Sequence, residues 1–489
     1  MTGKIPERWQ MTILSNVADL KGGIAKGKKR AKAEPVRLVP FLRVANVQAG
    51  FLKLDEIHSI EATESEIAKI LLKPGDVLFN EGGDRDKLGR GWVWEGQVPE
   101  CVHQNHVFRA RPKKDIIDPF FLSYWGNSQA AREYFEEEGK QTVNLASISL
   151  SKLGGLPLPL PPLPEQRRIV ARLKALLAKV DTSRQRLNRI PTILKHFRQA
   201  VLAAACEGRL TEDWRIENHE MPAATTVLRR LKTPVPEPFL NTFEDTSTTG
   251  LPDSWAWIQL GRLGRTAGGG TPSKDNEAFW AGTIPWVSPK DMKRDRIRDS
   301  EDHITPLAID RSTVNRIPKG SILFVIRGMI LNHTLPVAVT DDVVTINQDM
   351  KALIPEIPET SEYLFLASKH VARAILFEVK EATHGTRRIE TPLLKNWAVP
   401  FPPLEEQHEI VRRVSHLFAI ADQIEARYTK AKIQVDRLTH SILAKAFRGE
   451  LVPQDPNDEP AETLLAKLKI PPTETAPAKR RGRPRKAGG

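Results

Sequence analysis

The decapeptide PPLPEQRRIV, Pro161 to Val170, returns as PPLEEQHEIV, Pro402 to Val411, 241 positions later. At that fixed offset 161–210 aligns with 402–451 without a gap, and 17 of the 50 pairs are identical, including Glu165/Glu406, Gln166/Gln407, Asp181/Asp422 and Gly208/Gly449. A repeat this long makes the chain two copies of one plan and excludes most single-domain folds.

The repeat extends upstream at a drifting offset. IPERW (Ile5–Trp9) answers LPDSW (Leu251–Trp255), and LVPFLRVAN (Leu38–Asn46) answers TIPWVSPKD (Thr283–Asp291). LKPGDVLF (Leu72–Phe79) answers IPKGSILF (Ile317–Phe324), and HQNHVFRA (His103–Ala110) answers NQDMKALI (Asn347–Ile354). Downstream, PAATTVLRRLK (Pro222–Lys232) resembles PAETLLAKLK (Pro460–Lys469). The globular parts have diverged, while the stretch behind each PPL phrase has kept its length.

That stretch has helical periodicity. Apolar residues fall at Ile169, Leu173, Leu176, Val180, Leu187, Ile190, Leu194, Phe197 and Val201, broken only by Ser183. The second copy has Ile410, Val414, Leu417, Ala421, Ile424, Tyr428, Ala431, Val435, Leu438 and Ile442. Spacings that alternate 4 and 3, with charges between, form a coiled-coil seam. Each copy predicts a helix of about 40 residues, roughly 60 Å long, with Pro191 expected to kink or interrupt the first. Proline suits a helix start, where no N–H partner is lost. Glu165 and Glu406 fall in the first turn, where the helix dipole favours negative charge. Gly208 and Gly449 stand where a C-terminal glycine belongs.

Two seams of equal length in one chain pack most simply on each other. The fold class expected is therefore mixed α/β (α+β): two globular parts joined by two long helices paired as an antiparallel coiled coil, with a pseudo-twofold internal repeat. The boundaries are 1–158 and 249–399 for the globular parts, 159–215 and 400–455 for the helical regions, 216–248 for a linker with a short helix, and 456–489 for a short helix and a basic tail. Short β-like runs (GDVLFN, HVFRAR, SILFVI, VVTIN) mix with a few helices in the globular parts.

Composition narrows the chemistry. The 73 basic and 60 acidic residues leave a net charge of +13, which suggests a polyanionic partner, nucleic acid first. No apolar run reaches the about 18 residues of a membrane span, and the first residues lack the apolar stretch of a signal peptide. Cys101 and Cys206, the two cysteines, make no disulfide framework, which fits a reducing cytoplasm. No His/Cys cluster has zinc spacing, so no metal site is expected.

GGIAKGKK (Gly22–Lys29) nearly spells a phosphate loop, but Lys29 stands where the magnesium-binding hydroxyl belongs. It reads instead as a basic loop, contacting phosphates or simply solvated. GGG at 268–270 holds the equivalent place in the second half. No nucleophile elbow or zinc-protease motif occurs, and DPFF (Asp118–Phe121) only approaches a methyltransferase motif. No catalytic residue is assigned. Six of the eight residues from Lys479 to Lys486 are basic. RGRP (Arg481–Pro484) in this tail resembles an AT-hook, whose arginines enter a narrow minor groove. A solubilising tail is the alternative.

Two variable globular parts, each followed by a long helix entered through P-P-L-x-E-Q-x-x-I-V and closed by G-x-L (EGRL, RGEL), resemble the specificity subunit of type I restriction–modification systems, over about residues 1–470. The resemblance implies that each globular part is a target recognition domain reading half of a bipartite DNA site. The helices would set the spacer and dock two methyltransferase subunits, with restriction subunits held through those. S-adenosylmethionine, ATP and Mg would bind on these partners and nothing on this chain, a non-catalytic subunit in a bacterial or archaeal cytoplasm. A single-chain nuclease and a protein-binding coiled-coil adaptor are the rival readings.

By that likeness the loops GKQTVN (Gly139–Asn144) and HGTRR (His384–Arg388) face DNA, with Lys140, Gln141, Arg387 and Arg388 as contacts. Repeat-equivalent loops add Lys28, Lys29, Arg30, Arg43, Asn46, Arg85, Lys87, Lys290, Arg327 and Asn332, and the tail adds Arg481 and Arg483. Gln104 and Gln348, at equivalent positions, either read bases or satisfy buried backbone. Asp84 and Asp291 either accept from cytosine N4 or cap a turn.

Overall fold

The computed structural model describes residues 5–25, 27, 35–83, 88–141, 146–231, 250–379 and 387–468. The chain forms two compact units, Met1–Asn188 with Lys430–Gly489, and Arg189–Thr429. Each holds one globular part, the first half of the long helix that follows it, and the last half of the other long helix. No helix among the described residues is long and apolar enough to cross a membrane.

In the first unit the antiparallel ribbon Gln10–Ile13/Pro157–Leu160 ties the start of the globular part to its end. Above it lies a four-stranded sheet in the order Ala18–Lys21, Val107–Pro112, Val77–Asn80, Gly91–Val93. A three-stranded sheet has Arg37–Leu42 at its centre, parallel to Val102–His103 and antiparallel to His58–Ala62. The second unit repeats this. Ala256–Gln259 pairs with Ala398–Phe401, a five-stranded sheet has Ile322–Val325 in the middle, and a four-stranded sheet pairs Ile284–Val287 in parallel with Val344–Ile346. Since the ribbon ends one residue before each Pro-Pro pair, it delivers the chain to the helix start in the same way twice.

The helices run Leu163–Cys206 and Leu404–Phe447, 44 residues each. The first continues through Pro191, so of the two effects expected of that proline the interruption does not occur. Proline removes only a single N–H to the carbonyl four residues back, and Pro191 stands on the exposed face of the helix. The helix halves run antiparallel in each unit. Arg184 meets Asp436 in the first unit, while Arg198 meets Asp422 and Glu425 in the second. Ile169, Leu173, Val180 and Leu194 are buried, and Leu176 and Leu187 half-buried. On the second helix Ile410, Val414 and Ala421 are buried, and Leu417, Tyr428 and Val435 half-buried.

Leu438 corrects the expected seam, being 45 % exposed, as is Ile424 at 42 %. Beyond Tyr428 the covered positions are Ala431, Val435, Thr439, Ile442, Leu443, Ala446 and Phe447. A helix of 3.6 residues per turn drifts about 20° per heptad from a strict 3.5 repeat. Over this stretch the contact line advances by 11 residues, from Tyr428 to Thr439, and Leu438 turns outward.

The helix ends close each unit. Gly208 and Gly449 both have φ of 75°. Glu450 N–H donates to Lys445 O and Gly449 N–H to Ala446 O, a Schellman cap. Phe447 stacks edge-on with Phe121 and Trp125 in the first core, and its counterpart Cys206 is buried in the second.

Candidate nucleic-acid interface

Each unit builds one rim from four chain segments, held by matching backbone bonds. In the first unit Glu81 N–H donates to His106 O at 3.0 Å, and Ile148 N–H to Glu81 O at 2.8 Å. In the second, Ile326 N–H donates to Asp349 O and Ile389 N–H to Ile326 O, both at 2.8 Å. The loop at 104–106, or 347–349, is thereby tied to the end of a central strand and to the segment that precedes the Pro-Pro joint.

The fourth segment is the glycine-rich one. Ile24 N–H donates to His103 O, and Ile24 forms a parallel bridge with Gln104. A Cβ on Gly23 would lie 2.0 Å from His103 O, and one on Gly269 would lie 1.9 Å from Asn347 O. Glycine is required here because one backbone lies against another. The near-phosphate-loop spelling thus records a crossing of two segments of the chain. From this crossing the chain leaves beside Gln104 in the first unit. In the second, the Thr271 hydroxyl meets the Gln348 amide oxygen.

His103 braces the first crossing. Its ring is fully buried, Nδ1–H donates to Val107 O at 2.6 Å, and burial pushes its pKa down to about 4.

The rim gathers part of the predicted set. Arg327–Gly328 pairs with Arg387–Arg388, with Arg327 opposite Arg388. Arg327 Nε donates to Asp349 at 2.6 Å, and Arg388 lies 3.2 Å from Glu390. Asn332 ends the short 3-10 turn that follows, Met329–Asn332. In the first unit Gly82–Gly83 pairs with Ala146–Ser147, which pairs with Lys140–Gln141. By place in the ribbon Arg387 and Arg388 match Ala146 and Ser147, so Lys140 and Gln141 are one strand further out. Arg43 follows the strand beside Gln104 and lies 3.4 Å from Glu56. Lys290 pairs with Glu301 and Asp302, which raise its pKa through hydrogen bonds, Asp302 foremost.

Asn46 is a correction. It is 3 % exposed. Its Oδ1 accepts from Arg43 N–H, and its Nδ2 donates to Lys53 O and Glu56 O, all at 2.9 Å. No polar atom is left to read a base. Asp291 does the same work in the other unit, accepting from Ser288 N–H at 2.8 Å, so of its two readings the turn cap is the one seen. Lys28, Lys29, Arg30, Asp84, Arg85, Lys87, Arg481 and Arg483 lie outside the described residues.

Sequence reading missed Asp349, Glu81 and His106, which support the rim. The alignment of HQNHVF with NQDMKA is also corrected by one residue: Gln104 N–H donates to Leu42 O as Asn347 N–H does to Val287 O, so Gln104 answers Asn347 rather than Gln348, and His106 answers Asp349. No group of three His, Cys, Asp or Glu able to hold a metal occurs among the described residues.

The joint beneath the rim is built alike in both units. Gln166 Nε2 donates to Pro161 O at 2.9 Å, and Gln407 Nε2 to Pro402 O at 2.8 Å. Each glutamine folds back to satisfy the carbonyl of the first proline. Glu165 accepts from Trp9 Nε1–H at 3.1 Å and from Gln454 at 2.6 Å. Burial raises its pKa, and those two hydrogen bonds oppose the rise.

The family model of the type I restriction modification DNA specificity domain matches this chain twice, over 6–192 and 252–434. The chain is 30 % identical to the type I restriction enzyme EcoKI specificity subunit of Escherichia coli K12, over 96 % of each chain. It is 34 % identical to the EcoBI specificity subunit of Escherichia coli, over 95 % of this chain and 92 % of that one. A solved chain from a study of complex assembly and conformational transition of the type I R-M system superposes with a TM-score of 0.65 at 19 % identity, covering 91 % of this chain and 99 % of that one. The HsdS subunit from Thermoanaerobacter tengcongensis gives 0.56 at 17 % identity, over 92 % and 99 %.

Proposed function

The chain belongs to the type I restriction–modification DNA specificity subunits, and on that premise we propose that each globular part reads one half of a two-part DNA site. One observation carries the reading: the same rim, with the same backbone bonds, is built twice and furnished differently. Glu81, His106 and Gln104 occupy it in the first unit, and Arg327, Asp349 and Gln348 in the second. A constant frame with variable side chains is what reading two different half-sites requires.

The long helices set the spacer between the halves and dock two methyltransferase subunits, through which restriction subunits join. The chain itself carries no chemistry. S-adenosylmethionine, ATP and Mg are bound by the partners. The EcoKI and EcoBI likenesses support the specificity-subunit role from which this division of labour is drawn.

The test is a methylated-base map of the host genome with and without this gene. A two-part motif that vanishes on deletion is the expected result and reveals both half-sites. A methylome unchanged by deletion, together with no salt-sensitive DNA binding by the assembled methyltransferase, would remove the reading.

A further inference from the structure

On the rim of the second unit, in the turn that packs against the ribbon strand Arg387–Arg388, two apolar side chains face outward. Met329 is 72 % exposed and Ile330 40 % exposed. They stand in the 3-10 turn Met329–Asn332, directly after the strand pair that aligns Arg327 with Arg388.

Their outward setting is built into the fold. Gly328 has φ 140° and ψ 167°, a region that belongs essentially to glycine alone. The next turn is pinned from below, because Leu331 is fully buried and Leu335 nearly so, both in the main core of the unit. His333 N–H and Thr334 N–H both donate to Ile330 O. A turn anchored on Leu331 must present the two residues before it to the solvent side. Large apolar side chains held outward gain nothing from the folded chain, since their area stays in water. In the repeat, Met329 and Ile330 align with Asp84 and Arg85, so the first unit has charged residues there.

The surroundings say what such a pair can meet. Arg327 and Arg388 flank it, and both suit phosphates. The apolar group that a base edge displays in the major groove is the thymine C5-methyl. We infer that Met329 and Ile330 are specificity-determining residues of the second unit, and that they read a thymine methyl in its half-site. The inference rests on the reading of that unit as a DNA reader, and it assigns one base to one pair of side chains.

The test uses the assembled methyltransferase containing the full chain, and the two-part site taken from the methylome. Binding is measured on the cognate duplex and on duplexes in which each thymine of the second unit's half-site, on either strand, is replaced singly by deoxyuridine. The wild-type complex is expected to lose about fourfold at one position, the worth of one buried methyl group. The M329A/I330A complex should bind the cognate duplex more weakly and no longer distinguish thymine from deoxyuridine there. Wild-type binding that is indifferent to every replacement would overturn the inference. So would a half-site with no thymine on either strand, or a double variant that keeps the full discrimination. If the variant lost affinity without losing discrimination while a fluorescent base analogue reported unstacking, the pair would be a wedge between base steps. A wild-type complex that prefers no site at all would instead remove the DNA-reading function beneath the inference. R388A in the same complex serves as control, with a weaker affinity and an intact response to deoxyuridine.

Discussion

The indole N–H of Trp255 donates to the buried carboxylate of Glu406 at 2.7 Å. Glu406 stands in the first turn of the second long helix, and Trp255 at the start of the globular part that the helix follows. The carboxylate also accepts from the Thr211 hydroxyl at 2.7 Å and from Arg215 at 2.8 Å. One fully buried side chain therefore ties together the beginning of the globular part, the start of one helix and the segment that leaves the other. Trp9 and Glu165 repeat the tie in the first unit. Replacing Trp255 by Phe removes one hydrogen bond to a charged group and is expected to cost about 1.5–3 kcal/mol. Glu406→Ala also leaves Arg215 with its buried partner gone and is expected to cost about 3–5 kcal/mol. Urea denaturation of the full chain measures both. Equal stability of the two variants would refute the ranking.

Gly22 and Gly23 are neighbours with opposite tolerance. A Cβ on Gly22 meets nothing within 4 Å, whereas one on Gly23 meets the backbone of both His103 and Gln104. Gly22→Ala is expected to leave stability within about 0.5 kcal/mol of wild type. Gly23→Ala must push the crossing chains apart, so it should lower the melting temperature and weaken DNA binding together. An unaffected Gly23→Ala would mean that the crossing is not held as described.

The seam makes a graded prediction. Leu194 is 5 % exposed and Leu438 is 45 % exposed, although each falls on its seam in a plain heptad reading. Leu194→Ala is expected to cost about 2–5 kcal/mol, as for other buried leucines, and Leu438→Ala under about 1 kcal/mol. Thermal melts of the two variants decide it, and similar losses would place Leu438 back in the seam.

How far the sequence could be read follows from these cases. The duplication, the two helices and their glycine ends were legible because they depend on local chemistry and on spacing, which a repeat displays directly. Leu438 was misplaced because the change from a 7- to an 11-residue repeat shows only when burial is known. Asn46 was misread for a related reason. An amide four residues after a strand end serves equally well as a reader or as a cap, and the bonds to Lys53 O and Glu56 O that decide between them are tertiary. The rim itself joins segments far apart in sequence, such as Gly23 with His103 and Ile326 with Ile389, and no periodicity announces such pairings. The likeness to specificity subunits pointed to the loops before the joint, but not to the one-strand shift that sets Arg388 opposite Arg327 while Lys140 stands further out.

His103 gives the crossing a pH dependence. Its ordinary pKa near 6.5 is pushed down to about 4 by burial, so the folded protein holds the neutral ring. Between those values the unfolded chain binds a proton that the folded one does not. Stability from this group is therefore present in full above about pH 6.5, falls as the pH drops, and is lost below about pH 4, for about 3 kcal/mol in all. His103→Asn, which removes the titrating ring, should flatten the acid limb by the worth of one proton. Urea midpoints of both proteins from pH 7 to 4.5 measure it, and parallel curves would show that His103 does not titrate with folding.

Arg388 offers the cleanest separation of affinity from specificity. Its side chain is 56 % exposed on the outer strand of the ribbon, opposite Arg327, and its partner Glu390 is equally open to solvent. A guanidinium so placed suits a phosphate, which carries no sequence information. Replacing Arg388 by Ala should weaken DNA binding by the assembled methyltransferase about equally on cognate and unrelated duplexes. The slope of log affinity against log salt should become shallower by about one, and the methylated motif should stay the same. If the slope held and the motif changed instead, Arg388 would be reading a base.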